Sequence, residues 1–354
     1  MRPHTLRMLT CCACLLSSSL AGAISADAPL FLFDAPPLSN QPREVANSIL
    51  DAWRSLPSNL EPHAMFRLPF VSLQSDSERE YLETVLAALQ KEDVPVFLTA
   101  GIDAGAHLYP VSTVTGLLRG YSTIKGAYVE GLAFNQYHEF ANGDAMGEPP
   151  EARWLAALIE ETAKVRRFAA IALDELHWPR VMSNDWCSRL YDTIKKNQSR
   201  VLPLNLQRGH HNITRISALM GLWLEGAVED WGISISSDWY REAGFIRPGQ
   251  FGHAQGDSVV MPPELYNAML LQGSMLGATV YHLRKPEDLW FGESRGTYWE
   301  PVLRPALAAL ADTGLIVEQD AIREKVKVAY RLAPSRTAKA FHANLTDIDG
   351  VHDD

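Results

Sequence analysis

Cysteine is scarce. Only four occur in 354 residues, and Cys11, Cys12 and Cys14 crowd the N-terminus. There, Arg2 and Arg7 precede an apolar run from Met8 to about Leu20, closed by Ala21-Gly22-Ala23. A charged start, an apolar middle and small residues at the end form the pattern of a secretory signal. The run is too short to span a bilayer as an anchor. The cysteines lie before or within it, not after it, which argues against a lipoprotein signal. Residues 1–26 are therefore expected to be removed and the mature chain to be secreted or periplasmic. Cys187 is then alone, no internal disulfide can form, and the fold must stand on its core.

Positive charge is also in short supply. The chain carries 32 Lys and Arg against 42 Asp and Glu, a net charge of −10. Taking Arg2 and Arg7 away with the signal leaves 30 basic side chains and a net charge of −12. No basic run interrupts this balance, so nucleic acid and anionic lipid are poor partners. No obligate protein partner is evident. Chemistry-bearing motifs are missing as well. There is no HExxH and no paired metal-ligand spacing, and the adjacent His210 and His211 diverge on either a strand or a helix. There is no GxSxG elbow, and Cys187 has no evident His partner. No metal and no other cofactor is expected. A Gly-rich phosphate loop after an early strand is absent too, which counts against a doubly wound open sheet.

What is present is a hydrophobic content of 47%, enough for a sizeable core. Residues 27–60 are rich in Pro, Ser and Asn and read as an irregular lead-in with one helix near 43–56. Beyond them, apolar runs alternate with amphipathic stretches. The runs are Met65–Leu73, Val94–Thr99, Gly126–Glu130, Ala169–Asp174, Val201–Asn205, Gly221–Glu225, Ala278–Leu283 and Lys327–Leu332. Apolar strands separated by helices predict parallel strands covered on both faces. About eight of them predict one (β/α)8 TIM-type barrel over 61–332, with 333–354 as a tail. The last run is the least secure, and Leu30–Phe33 is an alternative closing strand.

Active sites of such barrels gather at the C-terminal ends of the strands. Three runs end in acids: GAYVEG in Glu130, IALDE in Asp174-Glu175 and GLWLEG in Glu225. Neighbouring strand residues face opposite sides. Only one of Asp174 and Glu175 can then face the mouth; Glu175 is preferred, with a loop-capping role for both as the alternative. LPLN delivers Asn205 and TVYHLR carries His282. Trp178, Trp223, Trp231, Trp239, Tyr240 and Trp290 follow or accompany the same strands. Each alone is better explained as core than as a ligand platform. Their clustering beside acids points to sugar rings, whose C–H faces and hydroxyl edges suit Trp and Tyr.

MGLWLEGAVEDWGISISSDWY at 220–240 and HAQGDSVVMPPELYNAMLLQGSMLGATVYHLRKPE at 253–287 resemble the catalytic barrel of glycoside hydrolase family 98. The shared features are the GLWL segment, the following WG, the W-Y pair, the QG element and the helix leading to G-x-x-VY. The resemblance covers roughly 125–332. It implies a (β/α)8 fold and metal-free, endo-acting, inverting hydrolysis of β-linked glycans. It implies Glu130 as general acid and Glu225 as the strand-end base. The family pattern has Thr-Asp after GLWL where this chain has Glu225-Gly226, which puts the base in doubt, and Glu264 is a poor counterpart for a further family carboxylate. The C-terminal β-rich domain usual in the family has no counterpart in residues 333–354.

Inverting hydrolysis needs one carboxyl to give a proton and one carboxylate to activate water, about 6.5–9.5 Å apart. The sequence thus predicts Glu130 as acid, Glu225 as base and Glu175 as a neighbour tuning one of them. Trp178, Asn205, Trp223, Trp231 and His282 are the expected substrate contacts. A non-catalytic glycan-binding protein on a decayed barrel is the competing expectation.

Overall fold

The computed structural model describes residues 24–25, 27–102, 107–132, 148–173, 177–183, 187–206, 212–237, 261–290 and 295–325. Eight parallel strands close into a barrel. They are β1 (Leu30–Asp34), β2 (Ala64–Leu68), β3 (Val96–Ile102), β5 (Ile124–Glu130), β6 (Phe168–Leu173), β7 (Val201–Leu206), β8 (Gly232–Ile235) and β9 (Val280–Leu283). Each pairs with the next, and β9 returns to β1. A short ninth strand, β4 (His107–Leu108), lies antiparallel to the end of β3.

The strands form because they are apolar on both faces, as a parallel sheet wrapped by helices requires. One core cluster fills the barrel interior with Leu30, Leu32, Met65, Phe97, Tyr128, Phe168, Ala170, Ala172, Leu202, Leu204, Leu206 and Val280. A larger cluster lies between the strands and the surrounding helices. The split obeys the two-residue alternation of strands. It fixes which side chains enter the barrel: even-numbered on β1, β5, β6, β7, β8 and β9, odd-numbered on β2 and β3.

Helices follow strands with recognisable starts. α2 (Asp76–Lys91) opens on a capping box: the Ser75 hydroxyl accepts from the Glu78 N–H, and the Glu78 side chain accepts from the Ser75 N–H. α8 (Pro263–Met275) starts with proline at its first turn. It turns into β9 through Gly277, whose φ of +82° and contact with the Trp223 ring exclude a side chain.

Two expectations about strands are corrected. Leu30–Asp34, which contains the alternative closing strand Leu30–Phe33, is a full barrel strand between β2 and β9, so the barrel begins within the segment read as an irregular lead-in. Gly221–Glu225 is not a strand. It is the last part of α7 (Asn212–Glu225), which buries Ile216, Leu219, Leu222 and Trp223 at helical spacing. An apolar run of four or five residues cannot be assigned by periodicity alone, and here the helical stripe upstream decides it. The strand at this place is β8, GISI, further along the chain. Residues 327–332, expected as the last strand, lie outside the described residues, as do those of the expected signal up to 23.

Candidate active site

The C-terminal end of the barrel carries a buried cluster of charge. Asp34 ends β1, Arg67 lies near the end of β2, Glu130 ends β5, and His282 and Arg284 belong to β9 and the residue after its end. Alternation turns all five inward, each two residues beyond an interior apolar or aromatic residue: Leu32, Met65, Tyr128, Val280 and His282.

Arg67 ties the cluster together. Its Nη1 donates to Glu130 Oε2 at 2.6 Å, its Nη2 donates to Asp34 Oδ2 at 2.6 Å, and its Nε lies 2.5 Å from Asp34 Oδ1. The guanidinium lies over the Tyr128 ring, 4.8 Å from its centroid. Arg284 Nη2 donates to the other oxygen of Glu130, Oε1, at 2.6 Å. Glu130 is thus held between two guanidiniums, and the Tyr128 hydroxyl donates to Oε2 at 3.3 Å. Burial disfavours the charge on Arg67, but Asp34 and Glu130 outweigh it and its pKa stands above the ordinary value. Arg284 behaves the same way, with Glu130 as the main opposing influence. Both carboxylate oxygens of Glu130 are therefore engaged by arginine.

His282 sits beneath this pair, fully buried. Its Nε2 lies 2.7 Å from Asp34 Oδ1 and its Nδ1 lies 2.8 Å from Ser234 Oγ and 3.2 Å from the Tyr128 hydroxyl. Burial lowers its pKa, and Asp34 opposes that without reversing it. A neutral ring fits every contact if Nε2–H donates to Asp34 and Nδ1 accepts from the Ser234 hydroxyl. Tyr128 then donates to Glu130. Burial first, then Glu130, push the Tyr128 phenol well above its ordinary pKa.

The sequence-predicted residues divide. Glu130 and His282 are in the cluster. Glu175, with Asp174, lies outside the described residues. Glu225 ends α7, half exposed, and accepts from the Tyr191 hydroxyl at 2.5 Å with Lys195 Nζ at 3.4 Å. A helix that follows a strand runs back down the barrel, so Glu225 lies at the end opposite Glu130, and its assignment as base is corrected. The three tryptophans are core, not platform. Trp178 and Trp231 are fully buried and Trp223 nearly so, all in the layer between strands and helices. Trp178 donates to the Leu204 carbonyl and Trp223 to the Glu229 carbonyl. Asn205 also faces the helices, because it is in register with Leu173 and Ile233, both members of that outer layer. It is buried, and among the described residues neither side-chain polar atom has a hydrogen-bond partner.

Asp34, Arg67, Tyr128, Ser234 and Arg284 were not foreseen. Asp34 carried a signal, since LFLFD is an apolar run ending in an acid.

Solved structures of similar fold include family 98 glycoside hydrolase catalytic modules. The module from Streptococcus pneumoniae TIGR4 in complex with the H-disaccharide blood group antigen superposes with a TM-score of 0.70 at 16% identity. That alignment covers 87% of this chain and 56% of the other. The native form of such a module from the same organism gives 0.60 at 19% identity, covering 75% and 48%. The complex with the LewisY pentasaccharide blood group antigen gives 0.57 at 19%, covering 74% and 48%. The chain therefore spans about half the length of these structures. No family model and no curated protein matches the sequence. At these identities the likeness establishes a shared (β/α)8 fold, and it agrees with the resemblance carried by the sequence motifs.

Proposed function

We propose that the chain is an exported glycoside hydrolase of family 98 type that cleaves within β-linked glycans and inverts the anomeric centre. The observation that carries this reading is the place of Glu130. It ends barrel strand β5, points into the mouth and is largely buried, in a fold similar to that of glycan-bound catalytic modules. The substrate is an oligo- or polysaccharide, and no helix among the described residues is long and apolar enough to cross a membrane.

In this reading Glu130 is one member of the acid–base pair. Arg67, Tyr128 and, through Asp34, His282 hold it in place. With Glu225 removed, the second carboxyl comes from Asp174 or Glu175, which follow β6 directly in the chain. β6 turns its even-numbered residues Phe168, Ala170 and Ala172 inward, so the described strand does not support the preference for Glu175.

A second reading, glycan binding without turnover, draws on the clamp itself. Arg67 and Arg284 occupy both oxygens of Glu130, which would have to be released before either could reach a leaving oxygen. Reducing-end release from a panel of plant and host glycans, with Glu130→Gln alongside, separates the two. The hydrolase reading predicts turnover that Glu130→Gln lowers by about a hundredfold or more while affinity is kept. No release from any glycan, with binding intact, supports the second reading.

A further inference from the structure

Arg284 is 13% exposed at its side chain, and its guanidinium carries five N–H donors. One of them, on Nη2, is donated to Glu130. Nε is buried and, like Arg67 Nε, has no hydrogen-bond partner among the described residues. Among the described residues the guanidinium makes no other hydrogen bond. Arg67 beside it differs, since its fork is engaged by Asp34 and Glu130 together. Buried cationic donors are rarely left without acceptors in a finished site. This one lies at the mouth of the barrel, against the candidate catalytic carboxylate. The inward residue of the neighbouring strand β8, level with His282, is the small Ser234.

We propose that Arg284 selects the substrate by binding the carboxylate of a sugar-acid unit, a uronic acid, within the glycan. This rests on the hydrolase reading for its setting and extends it to a substrate class. The guanidinium fork is planar and offers two parallel N–H groups, which match a carboxylate and not a lone ring hydroxyl. Among the described residues the cluster sets Asp34 and Glu130 against Arg67 and Arg284. An incoming carboxylate therefore competes with Glu130 for Arg284. Once it holds the fork, Glu130 keeps Arg67 and Tyr128, loses one cation and gains a nearby anion. Arg284 thereby couples recognition of an acidic sugar to the contacts of the candidate catalytic carboxylate. The chain's net charge of −10 disfavours a dense polyanion, so the fitting glycan carries its acids sparsely.

The test is calorimetric titration of the full chain with methyl β-D-glucuronide and methyl β-D-glucoside, which differ only at the acid carbon. The expected result is about tenfold or tighter binding of the glucuronide, in line with a charge-assisted fork. Arg284→Gln should bring the ratio near one. Arg284→Lys, which keeps the charge but not the fork, should lower it, and serves if Arg284→Gln does not fold. Equal binding of the two glycosides, no binding of either, or a preference that survives both variants overturns the proposal. Competition by sodium acetate as strong as by the glucuronide also overturns it, because the site is then a general anion site. Loss of the hydrolase reading would look different: the glucuronide preference would stand while no glycan is cleaved.

Discussion

Arg67 on β2 and Glu130 on β5 meet inside the barrel mouth, Nη1 to Oε2 at 2.6 Å, with β3 between their strands. Three strands are coupled by this contact and its continuation to Asp34 on β1. Buried ion pairs gain little over apolar packing, because desolvation offsets most of the attraction. Their presence at the mouth, where Leu or Ile would pack, therefore speaks for function more than for stability.

Removing Arg67 tests how far the cluster depends on it. Arg67→Ala leaves Asp34 and Glu130 with one guanidinium and His282 between them. Breaking one partner out of a buried pair typically costs about 3–5 kcal/mol. Urea unfolding followed by far-UV circular dichroism should show a loss of that size, and a loss under about 1 kcal/mol would mean that the mouth is wetter than its burial implies.

Glu225 gives the opposite expectation. It is half exposed at the foot of α7, and its partners Tyr191 and Lys195 are surface groups. Exposed pairs contribute about 0–1 kcal/mol. Glu225→Gln should change stability by no more than that and leave glycan turnover unchanged. A large fall in turnover with the fold intact would restore the base assignment that the helix removes.

The sequence was most legible where period and length agreed. IAL and GAYVE lie in runs of strand length with helical stretches on both sides, and both are strands at the expected places. GISI was passed over because four residues with a serine carry little signal, while the longer GLWLE next door carried a false one. Glu130 could be found because it closes an apolar run. Arg67 could not, because MFRL has nothing that distinguishes a mouth arginine from one on the outer face until the barrel closes. The tryptophans misled for a simpler reason: ring chemistry suits both a sugar and a core, and only the register shows which face each one takes.

Asp230 offers a test of burial at the other end of the barrel, just before β8. It accepts from the Thr279 hydroxyl at 2.8 Å, yet burial pushes its pKa up to about 6 from the ordinary 3.8. A carboxyl whose pKa is raised on folding favours the fold when protonated. Its contribution is fully present below about pH 4 and is lost as the pH rises through about 6. Asp230→Asn keeps the acceptor for Thr279 and removes the charge. Thermal unfolding should show the variant gaining up to about 3 kcal/mol over wild type at pH 7.5 and little at pH 4. Equal melting temperatures of the two proteins at both pH values would contradict the shift.

His282 should give the reverse slope, and its neighbours show why. Its ring is enclosed by Asp34, Tyr128 and Ser234, with Arg67 and Glu130 just beyond. Burial lowers the pKa of the ring below the ordinary 6.5, and Asp34 only partly opposes this. The unfolded chain then takes up a proton that the folded chain refuses. The contribution is present above about pH 6.5 and is lost as the pH falls through the lowered folded value. His282→Gln cannot take up that proton and keeps an amide for one of the two hydrogen bonds. It should be less stable than wild type at pH 7.5, since Asp34 and Ser234 lose their shared partner. Between pH 6.5 and 5 its stability should fall less steeply, so that the two curves converge on the acid side. The measurement is the urea midpoint at half-unit pH intervals. Curves that stay parallel through that window would mean that His282 is already charged in the fold, and the neutral ring donating from Nε2 to Asp34 would have to be abandoned.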